Sequence, residues 1–446
     1  MYIYITMYRE TQEVTDTTDT PYNDGQDEND LLINNLIYEM PKSLSLATGR
    51  VYVSQYPQRQ TYNVDRSETL VFNWNTGNSF IDCDNSFLKF KMRAVAPNAV
   101  AGPTFGVYGS ALNIFKEVRI KSRSGVELSR TENSNLYNNF RLQWTKTDNW
   151  INTVGTAFYL NSTTSCFNAA NTLITEVCIP LSELSSFFRP LKKGQLLPPQ
   201  LASNMQIELN CESLATAFKD AAGYFGAASS VQLTDISMLL DTVNMSDDTS
   251  KILNLESSQS GLEYTYSRIF SYNSVFPAGS NNINVQIQKA CSQSTHAVTI
   301  IRNATNTTLS TVDSLISEPW KTKAWQYRLG SSYYPHQTLI DTQTSAINGC
   351  QSYMLALSAY DKLKAPFQEA SVTLNEFSNS LGVASVSLER NQSLAVSGLP
   401  VNNSRVLEVI IERDGSGDST NKVMVDCFLS YICVAKAYID NVSVAV

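Results

Sequence analysis

The stretch CIPLSELSSFFRPLKKGQLLPPQLASNMQIELNC, Cys178 to Cys211, constrains this chain more than any other. It opens on a short apolar run into Ile179, Pro180 and Leu181, which suits the end of a buried strand. Ser182 is placed to cap one amphipathic turn carrying Leu184, Phe187 and Phe188. Pro190, Pro198 and Pro199 follow at a density that neither a helix nor a central strand tolerates, so this segment reads as a loop. Met205, Ile207 and Leu209 then alternate with Gln206, Glu208 and Asn210, the period of a half-buried strand.

The rest of the chain fits a sheet protein. Charged residues make up only 17% of the 446, below the ~25% of an average soluble chain. Asn, Ser and Thr fill the gap, and 22 Tyr and 18 Phe favour sheets with solvated loops over helical bundles. The length allows two or three domains, each with its own core.

Charge is unevenly placed. Residues 1–45 carry nine acids against Arg9 and Lys42, a net −7 of the chain's −8, which leaves the remaining 401 residues at about −1. A nearly neutral body suits packing against copies of itself and lacks the basic face that gripping phosphates requires. Residues 1–47 read as an acidic arm, partly disordered. TQEVTDTTDTPYNDGQDEND has too little apolar surface to offset ordering entropy, while LLINNLIYEM is apolar enough to order against a neighbour.

No signal peptide is read in MYIYITMYRE, and no stretch reaches the ~18 apolar residues of a membrane helix. The eight cysteines, at 83, 166, 178, 211, 291, 350, 427 and 433, are therefore expected to be reduced and unpaired, several of them behaving as small hydrophobes. The sequons Asn303-Ala-Thr and Asn441-Val-Ser are then chance matches.

Strand patterns begin near Glu68. SETLVFNWN is followed by SFLKFKMRA, in which Leu88, Phe90, Met92 and Ala94 alternate with Lys89, Lys91 and Arg93. FKEVRIKSRSGVELSR reads as a hairpin, with Val118 and Ile120 inward and Gly125 in the turn. TENSNLYNNFRLQW is a helix candidate with Leu136, Phe140 and Trp144 four residues apart, a stripe expected to cover a sandwich end. A long strand is read from Val231 to Val243.

After a polar break at SDDTSK the pattern starts again. LEYTYSRIFSY, NINVQIQKA and HAVTIIRN are strand-like, and QSYMLALSAYDKLK is a helix in the same relative place as the first. VASVSLERN, RVLEVIIERD and a long closing strand region end the chain. The two halves share architecture without residue-level identity. The expected division is an arm over 1–47, sandwiches over 48–245 and 261–446, and a linker over 246–260. Many short strands, twice over, point to two eight-stranded sandwiches, although periodicity does not separate a jelly roll from another β-sandwich.

Catalytic chemistry has little to stand on. The chain has two histidines, His296 and His336, and no CxxC, Walker, GxGxxG, GxSxG or HExxH pattern. Cys427 and Cys433 lie six apart on one strand face and read as core rather than a metal site. DGSGDS, Asp414 to Asp418 and beyond, lacks the spacing of a calcium loop and reads as a hairpin turn. Asp82 and Asp84 flank Cys83 in an expected connecting loop and make a poor acid/base pair. Tyr327, Arg328, Tyr333, Tyr334, Pro335 and His336 are the densest aromatic and polar cluster. There Gly330 is expected to turn the chain, the tyrosines to pack beneath a loop, and Arg328 to pair with a carboxylate or carbonyl. No catalytic residue, cofactor or metal is expected.

Three features in order resemble the double jelly-roll major capsid proteins of polinton-like viruses, virophages and adintoviruses. They are the Cys178–Cys211 unit, AWQYRLGSSYYPHQTL (Ala324 to Leu339), and the pair SLERNQSLAVSGLP with FLSYICVAKAYIDNVSV. Together they span roughly residues 60 to 446; the acidic arm has no counterpart. The resemblance implies an all-β fold of two side-by-side jelly rolls with short helices in the connecting loops. It also implies a homotrimeric, nearly hexagonal block that tiles an icosahedral shell. Penton or minor capsid proteins would be its further partners, and it would reside in the virion after assembly in host cytoplasm or nucleus. Competing readings are a two-domain carbohydrate-binding or attachment protein, a minor penton-like capsid protein, and a cupin-type enzyme. An enzyme of that type would need a histidine and carboxylate metal set that two distant histidines do not supply.

Overall fold

A computed structural model describes residues 47–445, apart from 96–104, 108, 161–174, 193, 221–229, 305–314, 318–321, 341–348, 363–369, 392–396, 414–421 and 439–440. The acidic arm and the DGSGDS loop lie outside the described residues. Among the described residues, sixteen strands form two sandwiches. The first contains β1 (Ala47–Gln55), β2 (Thr69–Asn73), β3 (Phe80–Val95), β4 (Phe115–Lys121), β5 (Glu127–Thr131), β6 (Thr175–Pro180), β7 (Gln206–Cys211) and β8 (Ser230–Met245). The second contains β9 (Leu262–Phe276), β10 (Asn282–Ile287), β11 (Cys291–Asn303), β12 (Thr322–Leu329), β13 (Ser332–Ile340), β14 (Ala384–Ser387), β15 (Leu407–Arg413) and β16 (Val423–Ala437).

Pairing orders the first sandwich as β1-β8-β3-β6 facing β2-β7-β4-β5, and the second as β9-β16-β11-β14 facing β10-β15-β12-β13. Adding eight to each strand number of the first gives the second. Among the described residues all the pairings are antiparallel, and successive strands alternate between the sheets except at the β4–β5 and β12–β13 hairpins, so that the last lies beside the first: each half is a jelly roll. Short strands extend the sheets, Tyr62–Asn63 on β8, Leu399–Val401 on β11 and Val442–Ala445 on β16.

Local sequence explains the strands. In β3, Leu88, Phe90, Met92 and Ala94 are fully buried between the sheets while Lys89, Lys91 and Arg93 face out. Lys89 pairs with Glu176 at 2.6 Å and Lys91 with Asp235 at 2.7 Å, across to the neighbouring strands. The β4–β5 hairpin turns at Gly125, whose φ of +79° is the left-handed conformation a side chain would strain.

Asp82 and Asp84 lie inside β3, not in a connecting loop. Asp82 opposes Asp241 and Phe87 opposes Leu239, so residues 83–86 bulge out of the ladder. The Ser86 hydroxyl donates to the Asp82 carbonyl at 2.7 Å and the Asp84 N–H to the Asp82 carboxylate at 3.1 Å. A polar bulge within one strand carries the composition of a turn.

Among the described residues, three longer helices sit between strands. α1 (Ser134–Thr145) connects β5 to β6, and α3 (Cys350–Ala359) occupies the same place between β13 and β14. α2 (Asp247–Gln259) joins the sandwiches. Its cap is the polar break itself: the Ser246 hydroxyl accepts from the Thr249 N–H at 3.4 Å, and Asp247 and Asp248 occupy the positive end of the first turn.

Candidate functional site: the joint between the sandwiches

The Cys178–Cys211 unit builds the joint. Pro180 ends β6 and a turn over Leu181–Leu184 follows, so Ser182 lies inside the turn instead of capping it. The cap is Ser185, whose hydroxyl accepts from the Phe187 N–H at 3.3 Å and starts a second turn, Ser186–Phe188. That turn splits the two phenylalanines. Phe188 stacks on Trp74 in the first sandwich (5.6 Å), while Phe187 meets Tyr264 (5.4 Å) and Tyr266 (4.9 Å) on β9 of the second. The prolines do not exclude a helical turn: Pro199 opens one over Pro199–Ala202, where its missing N–H costs no bond.

Polar groups lock the contact. The Tyr264 hydroxyl donates to the Phe187 carbonyl at 2.8 Å and the Tyr266 hydroxyl to the Leu128 carbonyl at 2.6 Å. The Leu191 N–H donates to the Thr265 carbonyl at 3.0 Å, so the free edge of β9 pairs with this loop. Arg268 reaches Glu127 at 3.1 Å.

Helix α1 makes the second half of the joint. Its Leu136, Tyr137, Phe140 and Trp144 pack with Ile269, Val298, Ile300 and Phe428 on the outer face of β9-β16-β11. The stripe therefore covers the flat wall of the other sandwich, not a sandwich end. Trp144 stacks on Tyr360 (5.8 Å) and meets Tyr353 and Phe377, and its indole N–H donates to the Leu381 carbonyl at 3.2 Å. With both faces covered, β16 reads as an almost unbroken apolar run.

An ion cluster beneath α1 escaped the sequence reading. Glu183, 3% exposed, takes Arg141 at 2.7 Å and Lys146 at 2.6 Å, and the Arg189 guanidinium donates to the Ser182 carbonyl at 2.9 Å. Burial alone would raise the Glu183 carboxyl. The charges of Arg141, Arg189 and Lys146 outweigh it and hold the group well below the usual carboxylate range. The signal was present as Glu183 and Arg189 within an otherwise apolar turn, where an unpaired charge is not tolerated.

The other candidates separate in space. Arg328 pairs with Glu408, itself 3% exposed, on the outer side of the sheet. Tyr327 points the opposite way, into the core, its hydroxyl 2.6 Å from that of Thr299 and 2.9 Å from the Ala384 carbonyl. Gly330 turns the β12–β13 hairpin at φ +61°. Tyr333 is exposed, so of the expected buried tyrosines Tyr327 alone is fully enclosed, and the cluster does not converge on a ligand. His296 lies on β11, its ring 5.8 Å from Tyr360 and pushed down to about 4 by burial; His336 lies on β13 in the opposite sheet. Cys427 and Cys433 are core thiols, raised by burial to about 12 and about 11. Among the described residues, every cysteine is a free thiol and no three metal-ligating side chains gather.

Among known structures, the chain is similar to VP54 of PBCV-1 as fitted into a reconstruction of the virophage Sputnik (TM-score 0.61, 11% identity, 92% of this chain and 99% of that one). It is also similar to the Faustovirus major capsid protein (TM-score 0.62, 10% identity, 97% of each chain). The mavirus major capsid protein matches with a TM-score of 0.55 at 11% identity, over 97% of this chain and 96% of that one. No protein-family model and no curated protein sequence matches the chain. Near-complete coverage in both directions means that both sandwiches and the joint between them align, not one jelly roll alone. The chain has the double jelly-roll fold of these viral major capsid proteins.

Proposed function

We propose that this chain is a major capsid protein, a structural and non-enzymatic subunit. Three copies form a pseudo-hexagonal capsomer, and capsomers tile an icosahedral shell. The observation that carries the reading is the doubled jelly roll, one sandwich repeating the strand order of the other within a single chain and packed against it. Two like blocks per chain give a ring of three chains six like walls. The functional blocks are residues 48–245 and 261–446, joined through 246–260.

A nearly neutral body is consistent with copies meeting side by side. In this reading the fivefold positions and any cementing role belong to other proteins, assembly takes place in the host cytoplasm or nucleus, and genome condensation falls to basic partners. Native mass spectrometry tests it: a species near three times 49.5 kDa is expected. A chain that remains monomeric at every concentration refutes it, and tight, salt-sensitive DNA binding by the purified protein refutes the division of labour.

A further inference from the structure

The repeat breaks at one end of the second sandwich. In the first sandwich the β2–β3 connection (74–79) and the β6–β7 connection (181–205) close on each other through aromatic residues. Trp74 stacks on Phe188, its backbone N–H donates to the Met205 carbonyl at 2.9 Å, and Ile81 and Leu197 exchange two backbone hydrogen bonds at 3.0 and 2.9 Å. The matching connections of the second sandwich, QKA (288–290) and LERNQSLAVSGLPVNNSRV (388–406), contain no aromatic residue. Between them lies a cavity of about 530 Å³, lined by the apolar Ile287, Val401 and Val406 and by the polar Gln288, Lys289 and Asn402. That volume suits a small ligand.

The lining holds one cation and no acid. The Lys289 N–H donates to the Ile287 carbonyl at 3.1 Å, which fixes the root of the side chain. Its ammonium lies over two rings, 5.3 Å from the centre of Tyr431 and 5.7 Å from that of Phe270. The rings hold the charge in place without neutralising it, and among the described residues no carboxylate pairs with it. Asn402 is fixed as firmly. Its Oδ1 accepts from the Ser404 and Arg405 N–H groups at 3.1 and 3.0 Å and from the Ser404 hydroxyl at 2.7 Å. The carbonyl is thus used by the turn, and the NH2 group is left as a donor. A preset cation and a preset amide donor on one cavity suit a ligand that brings acceptors and negative charge.

We propose that this cavity binds a carboxylate: Lys289 and Asn402 take its oxygens, and a short apolar group beside it lies against Val401 and Val406. A free carboxylic acid and the C-terminal end of a peptide both present that chemistry. The site goes beyond the capsomer reading and does not rest on it.

Calorimetric titration of the full chain with N-acetylvaline and with a short peptide ending in valine, each as free acid and as amide, tests the proposal. Both acids should bind, and both amides should bind on the order of tenfold more weakly or not at all. A peptide acid that binds more tightly than N-acetylvaline identifies a chain end as the ligand; equal affinities identify a free acid. Lys289→Met should lower the affinity for the acids on the order of tenfold, and added salt should weaken it in the wild type. Ala290 is exposed and lines the cavity, so Ala290→Glu should abolish binding with the melting temperature unchanged, and it decides the matter if Lys289→Met does not fold. Acids and amides that bind alike, acid binding that survives the substitutions unchanged, or no binding of any probe at millimolar concentration overturns the site.

Discussion

Strands β3 and β11 hold the same position in the two sandwiches and are written differently. The outward positions of β3 are Lys89, Lys91 and Arg93; those of β11 include Val298 and Ile300. Topology does not require the difference, because both strands pair with the same relative neighbours. Cover does: one wall meets water in the free chain and the other meets α1. A buried aspartate sits on the closing strand of each half and tells the same story. Asp426 is held by Arg302, 9% exposed as a side chain, whereas Asp241 is held by Arg50, which is 51% exposed. Period-2 alternation therefore reports exposure on the second face as much as it reports a strand.

The comparison can be broken most decisively at α1. Trp144→Ala removes three ring contacts and a hydrogen bond from the covered wall and should cost about 3–5 kcal/mol, with calorimetry showing the single transition splitting into two. Retention of one unchanged transition would mean that the wall does not couple the sandwiches. Arg302→Ala strands Asp426 in the interior and should cost about 3–5 kcal/mol by urea titration. Arg50→Ala should cost less, by an amount that shrinks in high salt; equal, salt-independent losses would erase the distinction between the walls.

Arg328→Ala, on the outer face of the second sandwich, leaves the enclosed Glu408 without its cation and should cost about 1–3 kcal/mol while preserving the far-UV spectrum. The smallest effect is in pH. His296 is held neutral with its affinity for protons pushed down to about 4, so the unfolded chain binds the proton more tightly. Stability should then decline as pH falls from about 6.5 toward 4. His296→Asn should flatten that decline, and an unchanged slope would show that other groups cause it.

Much of this fold was legible in the residues. Alternation in β3 and in the β4–β5 hairpin, the two helices in matching places, and the long closing strands all follow from side-chain period. The resemblance of three segments supplied what period does not: jelly-roll connectivity in place of another sandwich. The joint was less legible because its residues look like ordinary core. Nothing local distinguishes Phe187, which faces the second sandwich, from Phe188, which faces the first; a serine cap three residues later than expected decides it. The Leu136–Phe140–Trp144 stripe announced an apolar neighbour without saying which one. The helix over 247–259 was hidden because its capping residues have the composition of a linker.

The hydrogen bond from Trp144 to Leu381 spans 237 residues. At the ribosome's pace of roughly 5–20 residues per second, the first half waits about ten to fifty seconds with its indole and the neighbouring apolar rungs bare. Synthesis thus sets a window in which nascent chains on one message can stick to each other through the very helix that later seals the finished subunit.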